Sequence, residues 1–115
     1  MATKAFSFDP YIMKGMTYDL YLDLTRDLLS EGKTTGPNQG AELVDYTKLN
    51  LQRMERLNKT IEVLAELENK VMAIGTKQTW LCITEAWCGD AAQNLPLFAR
   101  LADSNKNITF KLVLR

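Results

Sequence analysis

Histidine is absent from all 115 residues. That excludes Ser-His and Cys-His catalysis and removes the commonest transition-metal ligand. There are two cysteines, Cys82 and Cys88. They are too few for a disulfide scaffold and, without histidine, too few for a structural zinc site within one chain. No metal or other cofactor is expected. Neither sign of charge is in excess: Lys plus Arg and Asp plus Glu each number 14, for a formal net charge of zero. Nothing in that balance calls for a nucleic acid or an anionic membrane as partner. No apolar run approaches the ~20 residues that span a bilayer. The opening MATKAFSFDP lacks the basic-then-apolar pattern of a secretory signal. The chain therefore reads as cytoplasmic, with reduced thiols.

What is present is an ordinary globular composition, 46% hydrophobic and 24% charged, at a length that suits one domain or part of one. Residues 1–16 carry aromatics at Phe6, Phe8 and Tyr11 and a breaker at Pro10. Thr17 is placed to cap a helix from about Tyr18 to Ser30, with Leu20, Leu24 and Leu28 flanked by Tyr21 and Leu29 as its apolar face. The loop EGKTTGPNQG follows. A long helical pattern then runs from about Ala41 to Ile74 and ends at Gly75. Leu43, Tyr46, Met54, Leu57, Ile61, Leu64 and Val71 recur on one stripe, interrupted by Asn50 and Glu68, which favours packing along the chain's own body over a coiled coil. Asn50 is the odd member, because a buried amide needs partners; it either ties down a loop or reaches a site. Lys48, Arg53, Arg56 and Lys59 on this helix read as a solvated face rather than a binding patch.

From Gln78 the period changes. TWLCIT, Thr79 to Thr84, reads as a buried strand. A helix from about Cys88 or Gly89 to Ala102 follows, offering Leu95, Phe98, Ala99 and Leu101 for packing. DSNKN makes a turn, and ITFKLVL, Ile108 to Leu114, is a second strand. Strand, crossover helix and strand make a parallel, right-handed βαβ unit. The expected fold class is α/β: a helical region over 1–76 with one short and one long helix, then an α/β region over 77–115.

Two motifs are set aside. GKTT at Gly32 to Thr35 matches the end of a phosphate-binding loop, but Asp27 stands where that loop needs a glycine, so no nucleotide site is expected. Asn58-Lys59-Thr60 and Asn107-Ile108-Thr109 match the glycosylation sequon, which carries no meaning in a cytoplasmic chain.

Cys88 is the strongest chemical candidate. It stands where a strand hands over to a helix, so free backbone N–H groups and the positive end of the helix dipole face its sulfur and favour the thiolate. Trp87 is placed to shield it. Asp90, one turn in, suits the dipole but repels a thiolate. The competing reading is a cysteine acting as a small hydrophobe. Cys82 lies mid-strand and reads as a core thiol; a Cys82–Cys88 disulfide is disfavoured by the geometry such a bond needs.

These residues resemble the thioredoxin superfamily over about 78–115. Trp87-Cys88-Gly89 is followed by Pro96, eight residues after the cysteine, where thioredoxins similarly carry a proline in the helix after the active site. The Trp-Cys-Gly-Asp-Ala form looks like a group of bacterial thioredoxin-family proteins with a helical N-terminal region, and TTGPNQ and YTKLNLQRMERLNK look like that region. The resemblance implies an incomplete thioredoxin-like fold of one βαβ unit, with Cys88 as nucleophile, Trp87 and Gly89 at the substrate, and Asp90 and Pro96 tuning the site.

Three departures shape the expected chemistry. Ala91 stands in place of the resolving cysteine. Cys82 stands in place of the buried aspartate that thioredoxins carry six residues before the nucleophile. The hairpin, last helix and cis-proline of a thioredoxin do not follow, so the chain is expected to be a fragment, or to have its sheet completed by partner chains, with an oligomer formed through the open sheet edge as one outcome. The leading expectation is thiol-disulfide exchange of monothiol type with protein or low-molecular-weight thiols and disulfides. The alternatives are a non-enzymatic binding or adaptor module, and a redox-sensing thiol.

Overall fold

A computed structural model describes residues 7–115. Phe6, one of the aromatics noted in the sequence, lies outside them. The elements are α1 (Asp9–Lys14), α2 (Tyr18–Ser30), α3 (Ala41–Thr60), α4 (Ala65–Met72), β1 (Gln78–Thr84), α5 (Gly89–Asp103) and β2 (Ile108–Leu114). The fold is α/β, with a helical N-terminal region ahead of one βαβ unit. β1 and β2 pair in parallel, from Gln78 against Ile108 to Thr84 against Leu114.

Pro10 begins a helix rather than breaking one. It sits in the first turn of α1, where a missing N–H costs nothing. The chain after α1 then touches the far edge of β2. Met16 and Leu112 exchange two backbone hydrogen bonds of 2.8 Å in an isolated antiparallel bridge. Thr17 caps α2 as expected, its hydroxyl accepting from the Leu20 N–H at 3.2 Å. The face that α2 buries is turned from the leucine stripe. Tyr21, Leu22 and Thr25 are buried, whereas Leu20 is 58% exposed. Thr25 is admitted to the interior because its hydroxyl donates to the Tyr21 carbonyl at 2.9 Å, leaving its methyl to pack.

The single long helix expected over 41–74 is two helices. α3 closes with the Ile61 N–H on the Leu57 carbonyl, and Ile61 itself is extended at φ −66°, ψ 129°. Leu64 is extended as well, at ψ 130°, before α4 begins. The Thr60 hydroxyl bonds back to the Arg56 carbonyl, and β-branched Ile61 and Val63 favour the extended form. The break lets Val63 pack on a second apolar cluster of Val71, Leu101, Ala102 and Ile108, while Leu64 is left 77% exposed. Tyr46 is likewise outside the core.

The main core joins both halves of the sequence. Tyr21 and Leu22 of α2, Met54 of α3, Ala92 and Leu95 of α5 and Leu112 of β2 form one buried cluster, with Leu51, Cys82, Ala91 and Phe110 packed against it. β1 is less buried than its composition suggests: Ile83 is largely exposed and Cys82 half-buried. Cys82 packs on the main core and Trp80 on the second cluster, whereas Ile83, which points to the opposite face, is left exposed. No helix among the described residues is long and apolar enough to cross a membrane.

Candidate functional site

β1 ends at Thr84, and Glu85-Ala86-Trp87 turn the chain into α5. The Cys88 N–H donates to the Glu85 carbonyl at 3.0 Å and closes that turn. Cys88 is the N-cap residue of α5, extended at φ −81°, ψ 117°, and its carbonyl accepts from the Ala92 N–H at 3.3 Å. Its side chain makes no capping hydrogen bond and is partly exposed, so the sulfur stands at the open start of a fifteen-residue helix without closing it. Both cysteines are free thiols.

The expected site residues divide in two. Trp87, Cys88, Gly89 and Asp90 are consecutive at the corner; Trp87 and Gly89 are half-buried, and Asp90 is exposed in the first turn of α5. Pro96 is buried inside α5, about 12 Å along the helix from Cys88 at 1.5 Å per residue. It belongs to the packing of the helix rather than to the surroundings of the sulfur. Ala91 is half-buried against the main core, so the position of a second thiol holds a packed methyl group. Cys82 packs on the same core; burial pushes its thiol up from the ordinary range, and the nearby charge of Cys88 adds to that.

The corner is held by residues that spacing alone does not single out. Ala86, almost fully buried, has both backbone groups engaged by side chains from the helical region: its N–H donates to the Thr35 hydroxyl at 2.9 Å, and its carbonyl accepts from the Asn50 amide at 3.1 Å. Asn50 therefore ties down the site loop from the stripe of α3. The Thr35 hydroxyl donates in turn to Oε2 of Glu85, which is 6% exposed. Oε1 of Glu85 accepts from the Arg115 backbone N–H at 3.1 Å. A buried carboxylate is tolerated here because both oxygens are engaged.

The loop bearing Thr35 is itself well fixed. The Gln39 side chain brackets Thr34, accepting from its N–H at 2.9 Å and donating to its carbonyl at 2.7 Å and to that of Gly36 at 2.9 Å. Buried Thr34 and Thr47 are hydrogen-bonded through their hydroxyls. Gly36 has φ +85°, a conformation that favours glycine, and a side chain there would meet Glu85 Oε2 at 3.4 Å and the Trp87 indole nitrogen at 3.7 Å. Thr34 to Gly36 thus form one wall of the corner.

Tyr21 lies beneath it. Its hydroxyl is 3.4 Å from that of Thr84, and burial raises its pKa, with the charges of Glu85, Cys88 and Cys82 adding to the effect. Sequence reasoning missed Thr35, Glu85 and Tyr21 as parts of the site. The available signals were a carboxylate directly after an apolar strand and the TTGPNQ stretch quoted for its resemblance.

A model of the family described as Thioredoxin matches residues 36–115, from the loop at Gly36 through the end of β2. No curated protein and no solved structure matches the chain. The matched span takes in α3 and the βαβ unit that carries Cys88 at its corner, and on that match the chain belongs to the thioredoxin family.

Proposed function

We propose that this chain exchanges disulfides through a single thiol, Cys88. The observation that carries the reading is the placement of Cys88, partly exposed at the N-cap of α5 with its side chain uncommitted, while a core-packed alanine fills position 91. The free N–H groups of the first turn of α5 would stabilise charge on the sulfur as it attacks. Trp87 covers one side, Gly89 leaves room for a substrate backbone, and Asp90 and Pro96 adjust the start and the packing of the helix. The partners are protein or low-molecular-weight thiols and disulfides in a reducing, cytoplasmic setting, and the Trp-Cys-Gly-Asp-Ala corner resembles that of a group of bacterial thioredoxin-family proteins.

The sulfur of Cys88 attacks one sulfur of a disulfide. A Cys88–S bond forms, the original S–S bond breaks, and the departing thiolate takes a proton from solvent. With no second thiol at position 91, release of the captured half needs a thiol from outside, which attacks the mixed disulfide and restores Cys88. The test follows thiol release from bis(2-hydroxyethyl) disulfide with a small thiol as reductant. The protein should accelerate release and Cys88→Ser should abolish the acceleration. An equal rate with Cys88→Ser would leave the adaptor reading in its place.

A further inference from the structure

Asn50 is 2% exposed, yet only half of its amide is used. The Ala86 carbonyl lies 3.1 Å from one end, and an acceptor there makes that end the nitrogen. The other end is Oδ1, and no group among the described residues donates to it. An enclosed amide oxygen without a donor is costly. No fully buried side-chain oxygen or nitrogen among the described residues lacks a partner, so Oδ1 keeps an opening to the surface. Tying down Ala86 accounts for the nitrogen and leaves the oxygen to a group from outside the chain. The amide stands at the corner, against the residue two before Cys88. Arg53 follows on the same face of α3, one turn along. It was expected on a solvated face, but its Nη1 lies 4.0 Å from where a Cβ on Gly89 would stand, so this face of α3 lies against the start of α5. The indole N–H of Trp87 is a second uncommitted group. That of Trp80 donates to Gln78 at 3.1 Å, whereas that of Trp87 meets no acceptor among the described residues. Gly36 leaves room beside it, since a Cβ there would stand 3.7 Å from the indole nitrogen.

An uncharged acceptor and an uncharged donor match the N–H and carbonyl groups of a peptide main chain. Resting on the monothiol reading of Cys88, we infer that the substrate class is a peptidyl disulfide, with a main-chain N–H beside the captured sulfur donating to Oδ1 of Asn50. Trp87 supplies the donor for a main-chain carbonyl of the same substrate. Gly36 and Gly89 put no side chain beside Trp87 and Cys88, which lets a main chain come close. The bonds that form and break are those of the exchange. A Cys88–S bond forms, the substrate S–S bond breaks, and the departing thiolate takes a proton from solvent. The contact with Asn50 orients the captured half and leaves the sulfur and electron count unchanged.

The test compares two neutral disulfides, 3,3′-dithiobis(N-methylpropionamide) and 3,3′-dithiobis(N,N-dimethylpropionamide). They differ only in that the second carries a methyl group in place of each amide N–H. Adduct formation at Cys88 is followed by peptide mass mapping, and each rate is divided by that of a free thiol with the same reagent. Wild-type protein should favour the reagent with the N–H by about threefold to tenfold, the worth of one hydrogen bond. Asn50→Ala should slow both reagents as the corner loosens and bring their ratio to about one. Loosening alone slows both alike and leaves the ratio where it was, so the ratio reads the contact itself. If circular dichroism shows that Asn50→Ala does not fold, Asn50→Ser takes its place with the same expectation. Equal normalised rates in wild type, or an undiminished ratio in the Asn50 variant, would overturn the peptide assignment and leave monothiol exchange standing. No Cys88 adduct with either reagent would overturn both readings.

Discussion

Ala86 offers one N–H and one carbonyl, and Thr35 and Asn50 take both. Two residues before Cys88, the backbone is thus pinned from the far side of the sequence, and its position is set by side chains that themselves sit in the loop and in α3. Thr35 carries the greater share, because it also donates to the buried carboxylate of Glu85. Thr35→Val keeps the shape and removes both hydrogen bonds, leaving a buried carboxylate and a buried N–H each short of a partner. We expect a loss of about 2–4 kcal/mol in denaturant unfolding, together with slower exchange at Cys88 as the corner loosens. A loss within about 0.5 kcal/mol, the range of an ordinary surface change, would contradict this. Little of this arrangement is legible in the sequence. Thr35 and Glu85 stand fifty positions apart, and no periodicity pairs a loop hydroxyl with a carboxylate at a strand end. Cys88 and Trp87 were legible because they stand where a two-residue period gives way to a helical one. Asn50 was legible as an anomaly on an apolar stripe, though its partner was not.

The elements are joined by a few polar contacts around an apolar centre. α2 and α3 are linked by the Tyr18 hydroxyl, which donates to Oδ1 of Asn58 at 2.9 Å. Burial pushes the Tyr18 phenol up from 10.0 to about 12, against a smaller opposing effect of that hydrogen bond. The folded state therefore holds the proton where the unfolded chain has lost it. The resulting stabilisation is full below pH 10 and is lost as pH rises through about 12. The stability advantage of wild type over Tyr18→Phe should shrink across that window in urea unfolding; a constant difference would contradict the linkage. At the other end, buried Asn105 donates to the carbonyls of Val71 and Ile74, both at 2.8 Å, and accepts from the Asn107 N–H at 2.9 Å. It closes the C-terminus of α4 against the start of β2. Asn105→Ala should cost about 1–3 kcal/mol, read from the denaturation midpoint. The end of α5 and the start of β2 follow from the sequence because the turn residues of 104–107 separate them. The break between α3 and α4 does not, because Ile61 and Leu64 keep helical spacing through it. Only packing shows that Val63 gains more on the second cluster than the helix gains by continuing.

Across the whole molecule, the helical region and the βαβ unit share one core, and the site lies where they meet. Leu95 and Ala92 of α5 pack on Tyr21, Leu22 and Met54, so the helix that begins at Cys88 is seated on the N-terminal helices as well as on β2. The family match from Gly36 onward spans the same junction. In this account the N-terminal helices fix the corner, Cys88 does the chemistry, and Ala91 makes it depend on an outside thiol. Mass spectrometry of the reduced protein after one equivalent of a small disulfide tests that claim most directly. The account predicts one adduct, on Cys88, with Cys82 unmodified because it is half-buried and its thiol is pushed up. That adduct should persist until a thiol is added and then disappear. An adduct that converts unaided to a Cys82–Cys88 disulfide, or a Cys88 that forms none, would contradict it.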